Sequence, residues 1–397
     1  MKIGIYIKNY DIGEGGANSL LNTFQRGIGK LKNKDLKIVV IYDGKTNRIY
    51  KEEKDGIEFI NLFFVRMLYM IPSKIVDLKN FPRRMAYWFA DRKTSGPTSS
   101  IWDMMCRKEK IDILWFTSSV QERTSVPYIF TVWDLGHRLL PSFPEMKNRW
   151  QDRENMYQQM LYKAAFVTTA NETGKKEILE NYCISPEKIR ILPFPIADFC
   201  KEEEKKPEAM IPTDYFFYPA QFWAHKNHIR IIEAVKILKE RYSIRANVVF
   251  TGSNKGNMEY IKEEVRRNGL NEQFYFLNYV SYPEIKYLYK NAIALVYASL
   301  LGPNNMPPDE AIYLGCPVII TGIDGHREQL GNAAMYFDGN AADELAKCMH
   351  DIMNRPEVRK ELIKYGENYR KKISSYRYYD EIAKIIDELV RRRKCWG

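Results

Sequence analysis

The chain has 397 residues, 45% hydrophobic and 13% aromatic, enough for two or three cores, which excludes a disordered chain. Its net charge of +11 attracts nucleotide phosphates, acidic lipids or nucleic acid without choosing among them. Six cysteines with no C-x-x-C pair exclude a zinc ribbon and a disulfide framework and fit a reducing cytosol.

The opening M-K-I-G-I-Y-I-K-N-Y is charged at Lys2 and Lys8, too interrupted for a signal peptide, and no window of about 18 apolar residues predicts a membrane span. Lys2 to Ile7 instead predicts a strand, followed by a glycine loop from Asn9 to Ala17 and a helix over Ser19 to Leu31. Strand, loop and helix begin a doubly wound α/β domain, where glycines such as Gly15 and Gly16 let the backbone approach a ligand. The G-x-G-G pattern departs from the dinucleotide fingerprint and points to a substrate-facing loop. Strands are expected at Leu36 to Tyr42 and Ile57 to Phe64. From 65 to 107, apolar residues (Met67, Leu68, Tyr69, Tyr87, Trp88) interleave with Arg66, Lys74, Arg83, Arg84 and Arg92. That composition fits a helix pair with one buried and one solvated face, and it also fits contact with an anionic lipid surface or a nucleic-acid backbone.

Ile111 to Phe116 and Tyr128 to Val132 read as buried strands. The second delivers Trp133, Asp134, His137 and Arg138 to its carboxyl end, the edge where open α/β sheets bind ligands. A polar D-x-x-H can also simply tie a loop to its neighbours. A helix over Arg149 to Ala164, a strand from Phe166, a helix from Glu172 and a strand over Ile189 to Leu192 follow. The charged, aperiodic run Lys201 to Pro212 is the expected linker, dividing a first domain (1–200) from a second (201–375), with a closing helix (376–397) packing back on the first.

The second domain alternates strands (Tyr215 to Pro219, Ala246 to Gly252, Phe274 to Leu277, Ile293 to Tyr297, Met335 to Phe337) with helices, which predicts a parallel, doubly wound sheet. Its densest stretch is Leu300 to Thr321, L-L-G-P-N-N-M-P-P-D-E-A-I-Y-L-G-C-P-V-I-I-T. A Pro-rich loop leads into a short helix carrying Asp309 and Glu310, which stops at Gly315 before a buried strand. The unpaired N–H groups of such a helix start suit a diphosphate, and Glu310, about one turn in, can accept from sugar hydroxyls.

Four segments occur in the order F-Y-P-A-Q-F-W-A-H-K-N-H, V-V-F-T-G-S, F-L-N-Y-V-S-Y-P-E-I-K-Y-L-Y and N-M-P-P-D-E-A-I-Y-L-G-C-P-V-I. In this the second half resembles the retaining, nucleotide-sugar-dependent GT-B glycosyltransferases grouped as glycosyltransferase family 4. The resemblance implies two facing Rossmann-like domains, with Lys226 on the diphosphate and Glu310 on the ribose. Backbone N–H groups near Asn304, Asn305 and Met306 would hold sugar and phosphate, and Gly252, Ser253, Tyr279 and Val280 would border the base. Gly15 and Gly16 would approach the diphosphate from the first domain, and Asp134 and His137 would face the reacting sugar or the acceptor. Two positions depart from the family pattern. Gly302 stands where the first of two paired glutamates is usual, and Gln221 stands where an arginine usually partners the lysine, leaving Lys226 alone or with Lys255, Arg327 or His225.

No D-x-D occurs, and two histidines alone at His225 and His228 make a weak zinc motif, so metal-independent chemistry without a cofactor is expected, the nucleotide-diphosphate sugar being a co-substrate. Through the resemblance this implies a cytoplasmic hexosyltransferase, peripheral at an anionic inner membrane face, acting on a carbohydrate or lipid-linked acceptor in surface polysaccharide biosynthesis and not on nucleic acid. An epimerase or hydrolase on the same fold, or an inactive sugar-binding protein, are the alternative readings.

Overall fold

Short apolar runs bounded by Pro, Gly or charge become strands covered on both faces. The computed structural model describes residues 1–8, 23, 27–31, 36–43, 50–54, 57–63, 65, 100–118 and 123–394. A first sheet contains β1 (Lys2–Ile7), β2 (Lys37–Tyr42), β3 (Lys51–Lys54), β4 (Ile57–Asn61), β5 (Ile113–Phe116), β6 (Tyr128–Thr131), β7 (Phe166–Thr169) and β8 (Ile189–Ile191), in the order β3-β4-β2-β1-β5-β6-β7-β8. A second contains β9 (Phe216–Pro219), β10 (Val248–Thr251), β11 (Phe274–Leu277), β12 (Ala294–Tyr297), β13 (Val318–Thr321) and β14 (Met335–Phe337), in the order β11-β10-β9-β12-β13-β14. All described pairings are parallel except β3 with β4. The second order reverses between β9 and β12, so a crevice opens beyond their carboxyl ends.

The helices of the first domain are α1 (Ile101–Glu109), α2 (Gly136–Leu139), α3 (Pro144–Lys147), α4 (Trp150–Leu161) and α5 (Glu172–Asn181). Those that follow are α6 (His228–Tyr242), α7 (Met258–Arg267), α8 (Tyr282–Asn291), α9 (Met306–Tyr313), α10 (Asp324–Leu330), α11 (Ala342–Asn354), α12 (Pro356–Ser375) and α13 (Tyr378–Lys394). Local chemistry sets their starts. Ser100 and Asp103 form a reciprocal capping box on α1, and Ser281 and Glu284 do the same on α8. Ile382, Ile386 and Leu389 of α13 pack with Ile3, Ile5 and Val40 of the first sheet, and Glu388 pairs with Arg190 at 2.6 Å.

Three features differ from the sequence expectations or lie beyond them. Strand β3, K-E-E-K, carries no apolar signal; it pairs antiparallel with β4, and Lys51 meets Glu58 at 3.1 Å and Glu109 at 2.9 Å. Strand β4 stops short of Phe64 because the Asn61 side chain accepts the Phe63 N–H at 3.0 Å and turns the chain. The Asn9 to Ala17 loop with Gly15 and Gly16, most of the Ser19 to Leu31 helix, and residues 66–99 of the basic and aromatic segment lie outside the described residues.

The domains meet at the start of α5. Its N-cap Asn171 accepts the Gly174 N–H at 2.9 Å and donates its amide across the domain boundary to the Pro303 carbonyl. Glu328 of α10 reaches back, accepting the N–H groups of Glu172 (2.8 Å) and Thr173 (2.7 Å) and the Thr173 hydroxyl (2.6 Å). A carboxylate from one domain thus satisfies the orphan donors and positive dipole end of a helix in the other. Glu328→Ala is expected to speed amide exchange at Glu172 and Thr173 roughly fivefold, the loss of about 1 kcal/mol of capping. Unchanged exchange there would show that the contact does not hold the domains together.

Candidate functional site

The second sheet's crevice is built from the loops after β9, β10 and β12. Beyond β9 the chain makes a 3-10 turn over Ala224–Lys226, and Asn227 takes a left-handed conformation (φ 55°) that starts α6. This aims Lys226 at the end of β12, where its ammonium donates to the Tyr297 hydroxyl (3.1 Å) and the Ser299 hydroxyl (3.3 Å). Among the described residues no carboxylate lies within ion-pair distance of Lys226. The Tyr297 hydroxyl in turn donates to Asn305 Oδ1 at 2.9 Å, and Asn305 is the N-cap of α9. A cation and the positive end of a helix dipole therefore converge, a combination that suits an anionic group.

The base side is continuous with this. Gly252 has φ 144°, and a Cβ there would meet the Ala220 carbonyl oxygen at 2.4 Å, so only glycine lets the loops after β9 and β10 run in contact. Gln221 donates to Ser253 Oγ at 3.3 Å and accepts from the Trp223 indole at 2.9 Å. The Gly252 N–H donates to the Asn278 carbonyl at 3.0 Å, which places Tyr279, 64% exposed, and half-buried Val280 beside them. The structure thus gathers Gln221, Lys226, Gly252, Ser253, Asn304, Asn305 and Met306 at one face.

Glu310 lies deeper than a surface reading suggests, at 6% exposure. Its Oε2 accepts the Tyr289 hydroxyl at 2.9 Å, and burial, only partly opposed by that bond, pushes the carboxyl up to about 7. Its neighbour Asp309 is raised to about 6 by burial, although it accepts from Tyr369 at 2.8 Å. The helix start therefore buries two carboxyls.

Across the crevice Asp134 lies in the loop after β6. Burial would raise its carboxyl, but the Arg153 guanidinium at 2.7 Å and the Gly136 N–H at 2.7 Å bring it below the usual range. The expectation that His137 faces the sugar or acceptor is corrected by its position, fully buried inside the first domain. Its Nε2 lies 3.2 Å from both Glu154 and the Tyr182 hydroxyl, its ring stacks on Tyr157, and burial holds its pKa below the ordinary value. Glu154 of α4 and Tyr182, just beyond α5, hold the ring inward. His225 and His228 point to different surroundings: Glu145 accepts from the His225 backbone (2.9 Å) and lies 2.6 Å from Nδ1, while His228, pushed down to about 3 by burial, packs against Phe222 and Phe250.

Sequence reasoning did not single out Glu145, Asn171, Tyr297, Ser299, His326 and Glu328 as site residues. The rule that ligands sit at strand carboxyl ends would have found Tyr297 and Ser299; Glu145, Asn171 and Glu328 act across the domain boundary and leave no local signal. Glu177 of α5 is a further addition to the crevice: burial first, then the negative charges of Asp134, Glu180 and Asp324, push it up to about 7.

Residues 201–369 match the family described as glycosyl transferases group 1. Over 205 residues the chain is 28% identical to the O-antigen chain mannosyltransferase RfbU of Salmonella typhimurium, a match covering 51% of this chain and 55% of that protein, so it spans about half the length of that relative. Sucrose-phosphate synthase from Thermosynechococcus elongatus superposes with a TM-score of 0.71 at 14% identity, covering 100% of both chains. WaaG, a glycosyltransferase of lipopolysaccharide biosynthesis, superposes with a TM-score of 0.64 at 14% identity, over 97% of this chain and 99% of its own. The chain is built on the two-domain GT-B fold, and residues 201–369 resemble the glycosyl transferases group 1 family.

Proposed function

We propose that this protein is a retaining hexosyltransferase that moves a sugar from a nucleoside diphosphate donor to a carbohydrate or lipid-linked saccharide in surface polysaccharide assembly. The observation that carries this reading is Lys226, a cation held by two hydroxyls beside the start of α9, with no acidic partner among the described residues. Curated relatives are mannosyltransferases by name, which makes a mannosyl donor the first to try.

In this reading the bond between the anomeric carbon and the phosphate oxygen breaks as negative charge gathers on the diphosphate, which Lys226 and the Met306 N–H at the start of α9 stabilise, Pro307 and Pro308 having no N–H to offer. The acceptor oxygen attacks from the same face, and its proton passes to the departing phosphate. No protein nucleophile and no divalent ion is required. Glu310 is assigned to the ribose: one oxygen is taken by Tyr289, and Oε1 has no hydrogen bond among the described residues.

A thermal-shift screen over UDP-, GDP- and dTDP-sugars is expected to give one preferred donor, since a ligand bound only by the folded state raises its melting point. Lys226→Ala is expected to lower kcat with that donor by roughly 10²–10³-fold. Unchanged turnover in this variant, or no donor binding by the parent protein, would overturn the reading.

Glu310 gives a test independent of turnover. An unfolded glutamate titrates near 4.3 and the folded one at about 7, so the folded state binds more protons in that window and stability falls as pH rises through it. Glu310→Gln removes the penalty while keeping an acceptor for Tyr289. Relative to wild type its melting temperature should match at pH 4 and lie higher at pH 8 by roughly 3 °C or more. An equal offset at both pH values would show that Glu310 is not buried as an acid.

A further inference from the structure

The groups behind Lys226 form one chain of hydrogen bonds with a single direction. His326, fully buried, contacts the Thr321 carbonyl through Nδ1 at 2.9 Å, and a carbonyl can only accept, so Nδ1 carries the proton. In the neutral ring Nε2 is then a lone pair, and it accepts the Asn305 amide at 2.8 Å. Burial, which pushes His326 down to about 4, keeps the ring neutral. Asn305 is thereby oriented with Oδ1 toward Tyr297 and takes that hydroxyl's proton at 2.9 Å. Only lone pairs of Tyr297 remain for Lys226. The second hydroxyl behaves alike, since Ser299 donates to the Leu301 carbonyl at 3.0 Å and meets Lys226 as an acceptor. Two of the three ammonium N–H bonds are committed to fixed acceptors.

Gly302 makes room for this arrangement. Its φ is 118°, and a Cβ there would stand 2.6 Å from Asn305 Nδ2. The Asn305 side chain fills the space a side chain at 302 would need.

We infer that His326 is a positioning residue for sugar transfer: through Asn305 and Tyr297 it fixes the chain that aims Lys226, so that one N–H of the ammonium is kept for a nucleoside diphosphate. This rests on the glycosyl-transfer reading above and adds a residue to it.

The test is a double-mutant cycle on the affinity for UDP or GDP, whichever binds the wild-type protein, measured by titration calorimetry with the site stoichiometry. His326→Phe keeps a ring but loses both nitrogens, and is expected to weaken binding roughly tenfold, the effect of a lost hydrogen bond to a charged group. In a Lys226→Met background the same change is expected to cost less than about twofold, because residues in one hydrogen-bond network couple. A merely structural role for His326 would weaken binding equally in both backgrounds, and that result, or an unweakened His326→Phe protein, overturns the inference. Should His326→Phe not fold, Tyr297→Phe, which keeps the ring and removes only the hydroxyl, takes its place in the cycle with the same outcomes. Loss of affinity in Lys226→Met with additive effects of His326→Phe would sink this inference alone, whereas wild-type protein that binds neither nucleotide, or Lys226→Met at full affinity, would sink the glycosyl-transfer reading.

Discussion

The backbone at Gly302 governs the donor face. A φ of 118° is open to glycine and costly to any other residue, and it turns the loop so that Asn305 folds back beneath its own peptide. Gln329 locks the result from the next helix, accepting the Asn305 N–H at 3.1 Å and donating to its carbonyl at 2.7 Å. Gly325 is pressed against the same loop, since a Cβ there would meet the Pro303 carbonyl oxygen at 2.4 Å. The loop's shape is thus set by α10, which also carries His326 and Glu328. One short helix holds the loop, orients the chain behind Lys226 and grips the other domain.

That coupling connects domain geometry to chemistry. Asn171 bonds the Pro303 carbonyl while Glu328 caps α5, so the loop is held on both sides of the crevice. Glu145 accepts from His225, the residue before Lys226. Gly136 supplies the clearance, because a Cβ there would come 2.6 Å from the Leu301 side chain. Each of these contacts joins the first domain to a residue within a few positions of Lys226 or of the loop before α9, so a change in domain separation moves the loop and the lysine together.

Much of the fold was legible because buried parallel strands are short apolar runs ended by Pro, Gly or charge, as in Val318 to Thr321 after Pro317. Strand β3 was not, since K-E-E-K gains its place from pairing and ion pairs rather than apolar burial. At the site, Lys226, Gln221, Gly252 and the loop before α9 were legible as ordered motifs. The inward turn of His137 was not, because its partners Glu154 and Tyr182 lie 17 and 45 residues away. The burial of Glu310 was hidden for the same reason: Tyr289 approaches from a different helix. Local pattern fixes which residues reach a strand end; tertiary partners decide which way each side chain then points.

In the proposed glycosyl-transfer reading, the glycine at 302 also changes the electrostatics of sugar recognition. A carboxylate about 4 Å from Lys226 would attract it by about 4 kcal/mol at an effective dielectric of 20, compensating charge that the diphosphate could otherwise use. The neutral Asn305 and His326 leave the ammonium's field directed outward. The sugar loses a charged acceptor in exchange. Asp134 is already engaged by Arg153 and Gly136, whereas the Asn304 carboxamide oxygen is buried at this loop with no partner among the described residues. A buried, unpaired acceptor costs about 1–3 kcal/mol until a donor reaches it. A hydroxyl that met it would remove that cost only in the right orientation, so a neutral amide can select a sugar by geometry while the full charge of Lys226 stays on the leaving group.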